Sequence, residues 1–362
     1  MEAAVSDDQV KIHGPPANMR KRPLSQTEAI TAVDGAIPEA AVLEKLVELL
    51  LDAERRKVDP KIRLSSGHTL ALSNLSKPFW PSLGLTKGDL LRYYVRMSRY
   101  ILPVVADRPL VMKRHPDGAE GGEPFYQHRA PDPLPSGARS VSLPDDDVPA
   151  RLVGGDLFTL LYMVQLGSIS QDPWFSRVES PDYADAVAFD LDPMPGVAFA
   201  KVRDVALWLH EVLEPLAVPH YLKTSGNTGL HIFVPLEANS AYEPARLFTQ
   251  IVGAMVSQKH PKVATVERSV AARGATVYID CLQNIQGKTL ACAYSARASA
   301  FAGASTPITW EELLTGVTPE AFTVQTLPER VAQVGDLWSG VMASSPRLRL
   351  LDVLARLHGS SS

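Results

Sequence analysis

The stretch Asp185-Ala-Val-Ala-Phe-Asp190-Leu-Asp192-Pro193 is an apolar run closed by two aspartates with one leucine between them. Successive side chains on a strand point to opposite faces. Asp190 and Asp192 therefore project together from one face, and Phe189 and Leu191 from the other. Two carboxylates side by side repel unless a cation sits between them. A hard divalent ion that takes oxygen ligands, Mg²⁺ or Mn²⁺, fits that need. A strand ending in a solvated acidic turn would give the same pattern, so the rest of the chain has to decide.

The chain has 362 residues, 45% hydrophobic and 21% charged, which suits one large or two intimate globular domains. Cys281 and Cys292 lack zinc-ligand spacing and read as buried core thiols in a reducing compartment. No apolar run approaches a membrane span and the N-terminus lacks the layout of a signal peptide, so a cytoplasmic location is expected. The net charge of −4 argues against a uniformly basic nucleic-acid binder, but the charge is unevenly placed. Lys61 to Arg129 holds eleven Lys and Arg against five acids, whereas Ser140 to Asp192 holds ten acids against two Arg. A basic lobe beside an acidic one suits a protein that holds an anionic polymer on one side and metal ions on the other.

Residues 1–36 are polar and without period and are expected to form an unordered or loosely attached tail. Pro38 to Lys57 reads as a helix on the spacing of Val42, Leu43, Leu46, Leu49 and Leu50, within an N-terminal extension over 37–60. Thr86 and Asp89 form a helix-start box. The helix that follows reaches about Leu102, with Leu90, Tyr94, Met97 and Ile101 on one stripe and Arg92, Arg96 and Arg99 on a second, solvated one. Phe125 and Tyr126 are either a base-stacking platform beside a basic loop or the start of a core strand. Residues 132–150 read as a loop, Asp156–Leu166 as a helix, and Val197–Leu216 as a long helix after the Pro193-Met-Pro-Gly196 stop.

Tyr221 to Pro235 reads as strand, glycine turn, strand. The turn Ser225-Gly226-Asn-Thr228-Gly229-Leu-His231 gathers backbone N–H groups, a hydroxyl and an imidazole suited to a triphosphate. A helix over Tyr242–Lys259 precedes a third apolar strand, Ala275 to Asp280, again ending in aspartate.

With Asp190, Asp192, the Ser225–His231 turn and the Asp280-Cys-Leu-Gln283-Asn284 phrase in hand, the chain resembles the polymerase module of bacterial DNA ligase D, of the archaeo-eukaryotic primase superfamily. The likeness runs from about Leu64 to Leu357. It implies an α+β primase-type core over 61–362, with two mixed sheets and an RRM-like subregion around a cleft. It further implies a template-dependent nucleotidyltransferase of DNA repair that adds ribonucleotides or deoxyribonucleotides to a primer 3′-hydroxyl at short gaps or broken ends. Ribonucleotides are the preferred substrate on this resemblance. Asp190, Asp192 and Asp280 match the carboxylates that hold two Mn²⁺ or Mg²⁺ ions. Ser225, Gly226, Thr228, His231, Arg273, Gln283 and Arg297 fall at the nucleotide site. Asn74, Lys77 and Lys87 match a pocket for a 5′-phosphate on gapped DNA, and Lys113, Phe125 and Tyr126 match nucleic-acid contacts. No ligase or nuclease motif follows, so a stand-alone enzyme serving a repair ligase is expected.

The chain departs from the family pattern at three places: Thr228 and Thr276 stand where lysine is common, and Asp172 stands for a histidine before Pro173-Trp174. These changes remove positive or protonatable groups near a triphosphate. They keep open a DNA-end binding module with weak catalysis. The Asp-x-Asp strand alone also admits a haloacid-dehalogenase-type phosphatase, although Pro193-Met-Pro195 is stiffer than that fold wants, or a metal-dependent glycosyltransferase.

Overall fold

The computed structural model describes residues 28–29, 39–64, 67–343 and 347–359. The tail expected over 1–36 lies outside these residues except for Glu28 and Ala29, a two-residue strand parallel to Lys61–Arg63.

Two helices build the first lobe. Helix α1 (Ala40–Arg55) buries Leu43, Leu46, Val47, Leu50 and Ala53 against α2 (Lys87–Val105). Thr86 caps α2 through the expected box with Asp89, and the helix runs past Leu102 through Pro103. The arginine stripe is not solvated throughout, because α1 covers its first member. The Arg92 side chain is about 10% exposed and binds Glu54 at 2.5 Å and Asp89 at 2.6 Å, while the exposed Arg96 reaches Glu44 at 3.3 Å. Helix α3 (Leu157–Gln165), capped by Asp156, packs on α2. Over them lies a sheet in which Pro109–Arg114 pairs with Asp172–Pro173, Arg151–Val153 and Phe125–Gln127. All its pairings are antiparallel; the mixed sheets are the small one that joins Glu28–Ala29, Lys61–Arg63 and Thr69–Ala71 and a second large sheet.

That second sheet has six strands, in the order Ala264–Thr265, Val277–Asp280, Tyr183–Pro193, Leu230–Ala241, Tyr221–Thr224, Pro307–Ile308. The Tyr183–Pro193 strand is central and antiparallel to both neighbours. Phe189, Leu191, Leu230 and Ile279 are fully buried in one core with Val205 and Leu209 of α4 (Phe199–Leu213) and Phe248 and Val252 of α5 (Tyr242–Lys259). With α4 and α5 covering that face, strand alternation sends Asp190 and Asp192 to the opposite one. Both cysteines are buried and unpaired. No described helix is long and apolar enough to cross a membrane.

Candidate active site

Register places the polar residues. Lys223 lies opposite His231, His231 opposite Asp190, and Asp190 opposite Asp280, a row across four adjacent strands. Directly opposed residues of antiparallel strands share a face. Asp192, two residues beyond Asp190, joins the same face opposite Tyr278. Carboxylate oxygens of Asp190, Asp192 and Asp280 all lie within 4.8 Å of one another.

The row is wired from its far end. Lys223 is fully buried, and its ammonium donates to the Ala291 carbonyl at 2.9 Å, to Ser305 Oγ at 2.6 Å and to His231 Nδ1 at 2.6 Å. A donor on Nδ1 leaves the imidazole proton on Nε2, which faces Asp190 Oδ1 at 3.2 Å. Burial, then the Lys223 and Arg297 charges, hold His231 well below the usual histidine range, so the ring is neutral. Lys223 itself is lowered to about 7, first by burial and then by Arg297.

The Ser225 turn closes above this row. Ser225 Oγ accepts from Asn227 N at 3.1 Å and Gly229 N at 3.0 Å, which leaves its hydrogen to donate into the cleft. Gly226 has φ +76°, and a Cβ there would lie 2.6 Å from Arg297 Cγ and 2.8 Å from Ser305 N. A Cβ on Gly229 would lie 2.3 Å from the Leu191 carbonyl oxygen. Both positions exclude side chains, Gly229 so that the turn can sit on the central strand and Gly226 so that it can pack against Arg297 and the 304–305 backbone. Arg297 donates to the Ser225 carbonyl at 3.0 Å and so stands beside the turn.

Burial pushes Asp190 up to about 6. Enclosure in the cleft, then the Asp190 and Asp280 charges, push Asp192 up to about 7. Asp280 is also raised, by burial first and then by the Asp190 charge, against the lowering hydrogen bonds from Leu282 N and from Gln283 Nε2, which donates to it at 3.0 Å. Three convergent carboxylates whose charges oppose one another form a hard oxygen donor set, which fits divalent Mg²⁺ or Mn²⁺.

Asp190, Asp192, Ser225, Thr228, His231, Gln283 and Arg297 line one cleft of about 320 Å³ with Lys113 and Tyr126. Arg273 is outside that lining. Its guanidinium stacks 3.5 Å over the Tyr278 ring, whose hydroxyl lies 3.3 Å from Asp280 Oδ1. Asp172 faces the cleft, takes a 2.5 Å hydrogen bond from Ser170 and is raised by burial. Thr276 turns away and donates to the Arg273 carbonyl.

Phe125 and Tyr126 form an edge strand rather than a core one, and Tyr126 is 62% exposed with the Lys113 ammonium 5.6 Å from its ring. Asn74, Lys77 and Lys87 gather at the N-terminus of α2. Lys77 N donates to Asn74 O and Lys87 N to Lys77 O. The Lys87 ammonium is shared among Ser73 O, Gln165 O and Gln165 Oε1, and burial, then Lys77, lowers it to about 8. The Lys77 ammonium binds Pro116 O and Asp117.

Sequence reasoning missed Lys223 and His115. Lys223 had a signal, a lysine inside an apolar strand at the same parity as Ser225. His115, a cleft residue lowered to about 4 by burial and then Lys113, had none.

The model of the LigD primase-polymerase domain matches residues 86–338, well over half of the chain. The chain belongs to that family. Its fold is the α+β primase type of the family's polymerase domain, and the phosphatase and glycosyltransferase readings fall away. Similar proteins include the bifunctional non-homologous end joining protein LigD of Bacillus subtilis (strain 168), 30% identical over 281 residues, covering 77% of this chain and 44% of the relative. The multifunctional LigD of Pseudomonas aeruginosa is 27% identical over 271 residues, 74% of this chain and 32% of its own length. The chain thus spans less than half the length of these relatives. The polymerase domain of Mycobacterium tuberculosis Ligase D, solved in complex with DNA, superposes with a TM-score of 0.70 at 25% identity, over 76% of this chain and 99% of that one.

Proposed function

We propose that this chain is a template-dependent nucleotidyltransferase that extends a primer 3′-hydroxyl at short gaps or broken ends of DNA during end joining. The observation that carries the reading is one cleft in which Asp190 and Asp192, with Asp280 clustered against them, share the lining with Ser225, Thr228 and Arg297, and Lys113 and Tyr126 stand at its wall. Divalent ions held by Asp190, Asp192 and Asp280 would supply Lewis acidity to activate the hydroxyl and neutralise the departing pyrophosphate. Ser225 Oγ donates its free hydrogen to a phosphate oxygen, and Arg297 adds positive charge where the triphosphate gathers negative charge. His231 holds the Asp190 carboxylate in place through Nε2–H. Lys113 neutralises the nucleic-acid backbone, and the exposed Tyr126 ring offers a face to a base. Asn74, Lys77 and Lys87 bind the downstream 5′-phosphate beside the positive end of α2, with a repair ligase sealing the product. The catalytic unit spans 61–362, with helix α1 of the 37–60 extension docked on it.

The test is extension of a gapped, 5′-phosphorylated template with each nucleotide type in Mg²⁺ and in Mn²⁺, by the wild type and by Asp190→Ala. Template-directed addition lost in Asp190→Ala supports the reading, and equal extension by both proteins rejects it. The same assay reads the ribose preference in the presence of Thr228 and Asp172.

A further inference from the structure

Away from the carboxylate cleft, a second group of ligand-bearing side chains converges where α4 hands the chain to the Tyr221–Thr224 strand. His210 and Glu214 stand four residues apart. The helical bond from Glu214 N to His210 O, at 2.9 Å, keeps them on one face. Ala217, in the left-handed region at φ 52°, turns the chain back, and His220 arrives beside them. Ligand atoms of all three lie within 4.8 Å of one another. His220 immediately precedes the Tyr221–Thr224 strand, whose other end carries the Ser225 turn, and the four strand residues at about 3.3 Å each separate the two places.

Two further observations point to a ligand. His220 Nδ1 donates to the Val218 carbonyl at 2.7 Å, which fixes its Nε2 as a lone pair aimed at His210. A backbone carbonyl on the far ring nitrogen is the usual partner of a metal-binding imidazole. The Trp310 ring lies 4.3 Å from His210 and 5.3 Å from His220, holding both ring planes.

We propose that His210, Glu214 and His220 form a second metal site, for a transition ion of the zinc class, with a fourth position open to water. Two imidazoles and a carboxylate suit such an ion, whereas the oxygen-only triad in the cleft suits Mg²⁺ or Mn²⁺. Without the ion, His210 Nδ1–H donates to His220 Nε2 at 2.6 Å. With it, His210 carries that proton on Nε2 and offers Nδ1. The two nitrogens then part to roughly 3.3 Å, the span of two bonds of ~2.0–2.1 Å at a tetrahedral angle. The ion would clamp the end of α4 to the strand that presents Lys223 and Ser225.

The test titrates the tag-free, chelator-stripped full chain with Co²⁺, followed by visible absorption, and with Zn²⁺, followed by calorimetry. One equivalent of Co²⁺ should give the intense visible bands of a four-coordinate nitrogen and oxygen site. Those bands should survive Asp192→Ala, which spoils only the triad. Glu214→Gln and His210→Gln should each weaken Zn²⁺ binding by more than the roughly 10–100-fold that loss of an outer partner costs. Glu214 is exposed, so its variant folds, which a metal-free melt verifies. Zn²⁺ affinity unchanged in both variants, or Co²⁺ binding abolished by Asp192→Ala, overturns the assignment.

Discussion

Removing the Lys223 ammonium would free His231 Nδ1 to carry a proton and turn a bare lone pair toward Asp190, two acceptors face to face. Lys223→Met should therefore shift the His231 ¹⁵N signals from the Nε2–H form toward a tautomer mixture. It should also lower kcat by about tenfold, less than the roughly 10²–10⁴-fold of a group that itself transfers a proton, because His231 acts by holding Asp190. The carboxylates make a second prediction at this scale. Asp192 is raised above its unfolded value by enclosure and by Asp190 and Asp280, so its contribution to stability is full below about pH 4. That contribution is lost as pH rises through about 7. In EDTA the melting temperature should thus fall between pH 5 and pH 8, and Asp192→Asn should flatten the fall. Added Mn²⁺ should raise the wild-type melting temperature most at the upper end of that range. At this scale the paired carboxylates of Asp190 and Asp192 were legible because the two share a strand and a parity. Lys223 was harder to see, since its role depends on a partner eight residues away across a hairpin.

At the scale of elements, α1 and α2 are tied by more than apolar contact. Glu54 accepts from Thr86 Oγ1 at 2.6 Å and from Arg92, joining the end of α1 to the first turn of α2. Glu54→Ala leaves Arg92 buried with only Asp89 for company. It should cost roughly 3 kcal/mol in urea unfolding, the low end for a broken buried pair. The glycine turn is equally exacting. Gly226→Ala meets both a positive φ and contacts under 3 Å, so it should displace Arg297 and raise the KM for nucleotide while the melting temperature falls by only a few degrees, about 1–3 kcal/mol of strain. Helix α2 and the hairpin were readable from periodicity and turn chemistry. Burial of Arg92 was not, because an arginine stripe looks the same in sequence whether water or another helix faces it.

For the whole molecule, the relevant property is a polar cleft whose wall carries Lys113 and Tyr126. Lys113→Ala should reduce the slope of log K against log salt for gapped DNA by about 1, one phosphate's worth of released counterions. Tyr126→Ala should weaken binding by about 1–3 kcal/mol at any salt concentration, the loss of one stacked base. Fluorescence anisotropy over a salt series separates the two, and an unchanged slope in Lys113→Ala would remove that lysine from the DNA path. The charge asymmetry read from composition is only partly available for binding, since Arg92 is engaged by Glu54 and Asp89.

The amino-acid sequence by itself determined which strands end in carboxylates, which turn demands glycine, and which helices carry an apolar stripe, because each is a local matter of alternation, backbone freedom or period. The tertiary structure alone decided that Lys223, His231, Asp190 and Asp280 stand in one row, that α1 covers Arg92, and that His210, Glu214 and His220 meet. Those depend on register and on chain reversal, where a shift of one residue would send every side chain to the opposite face.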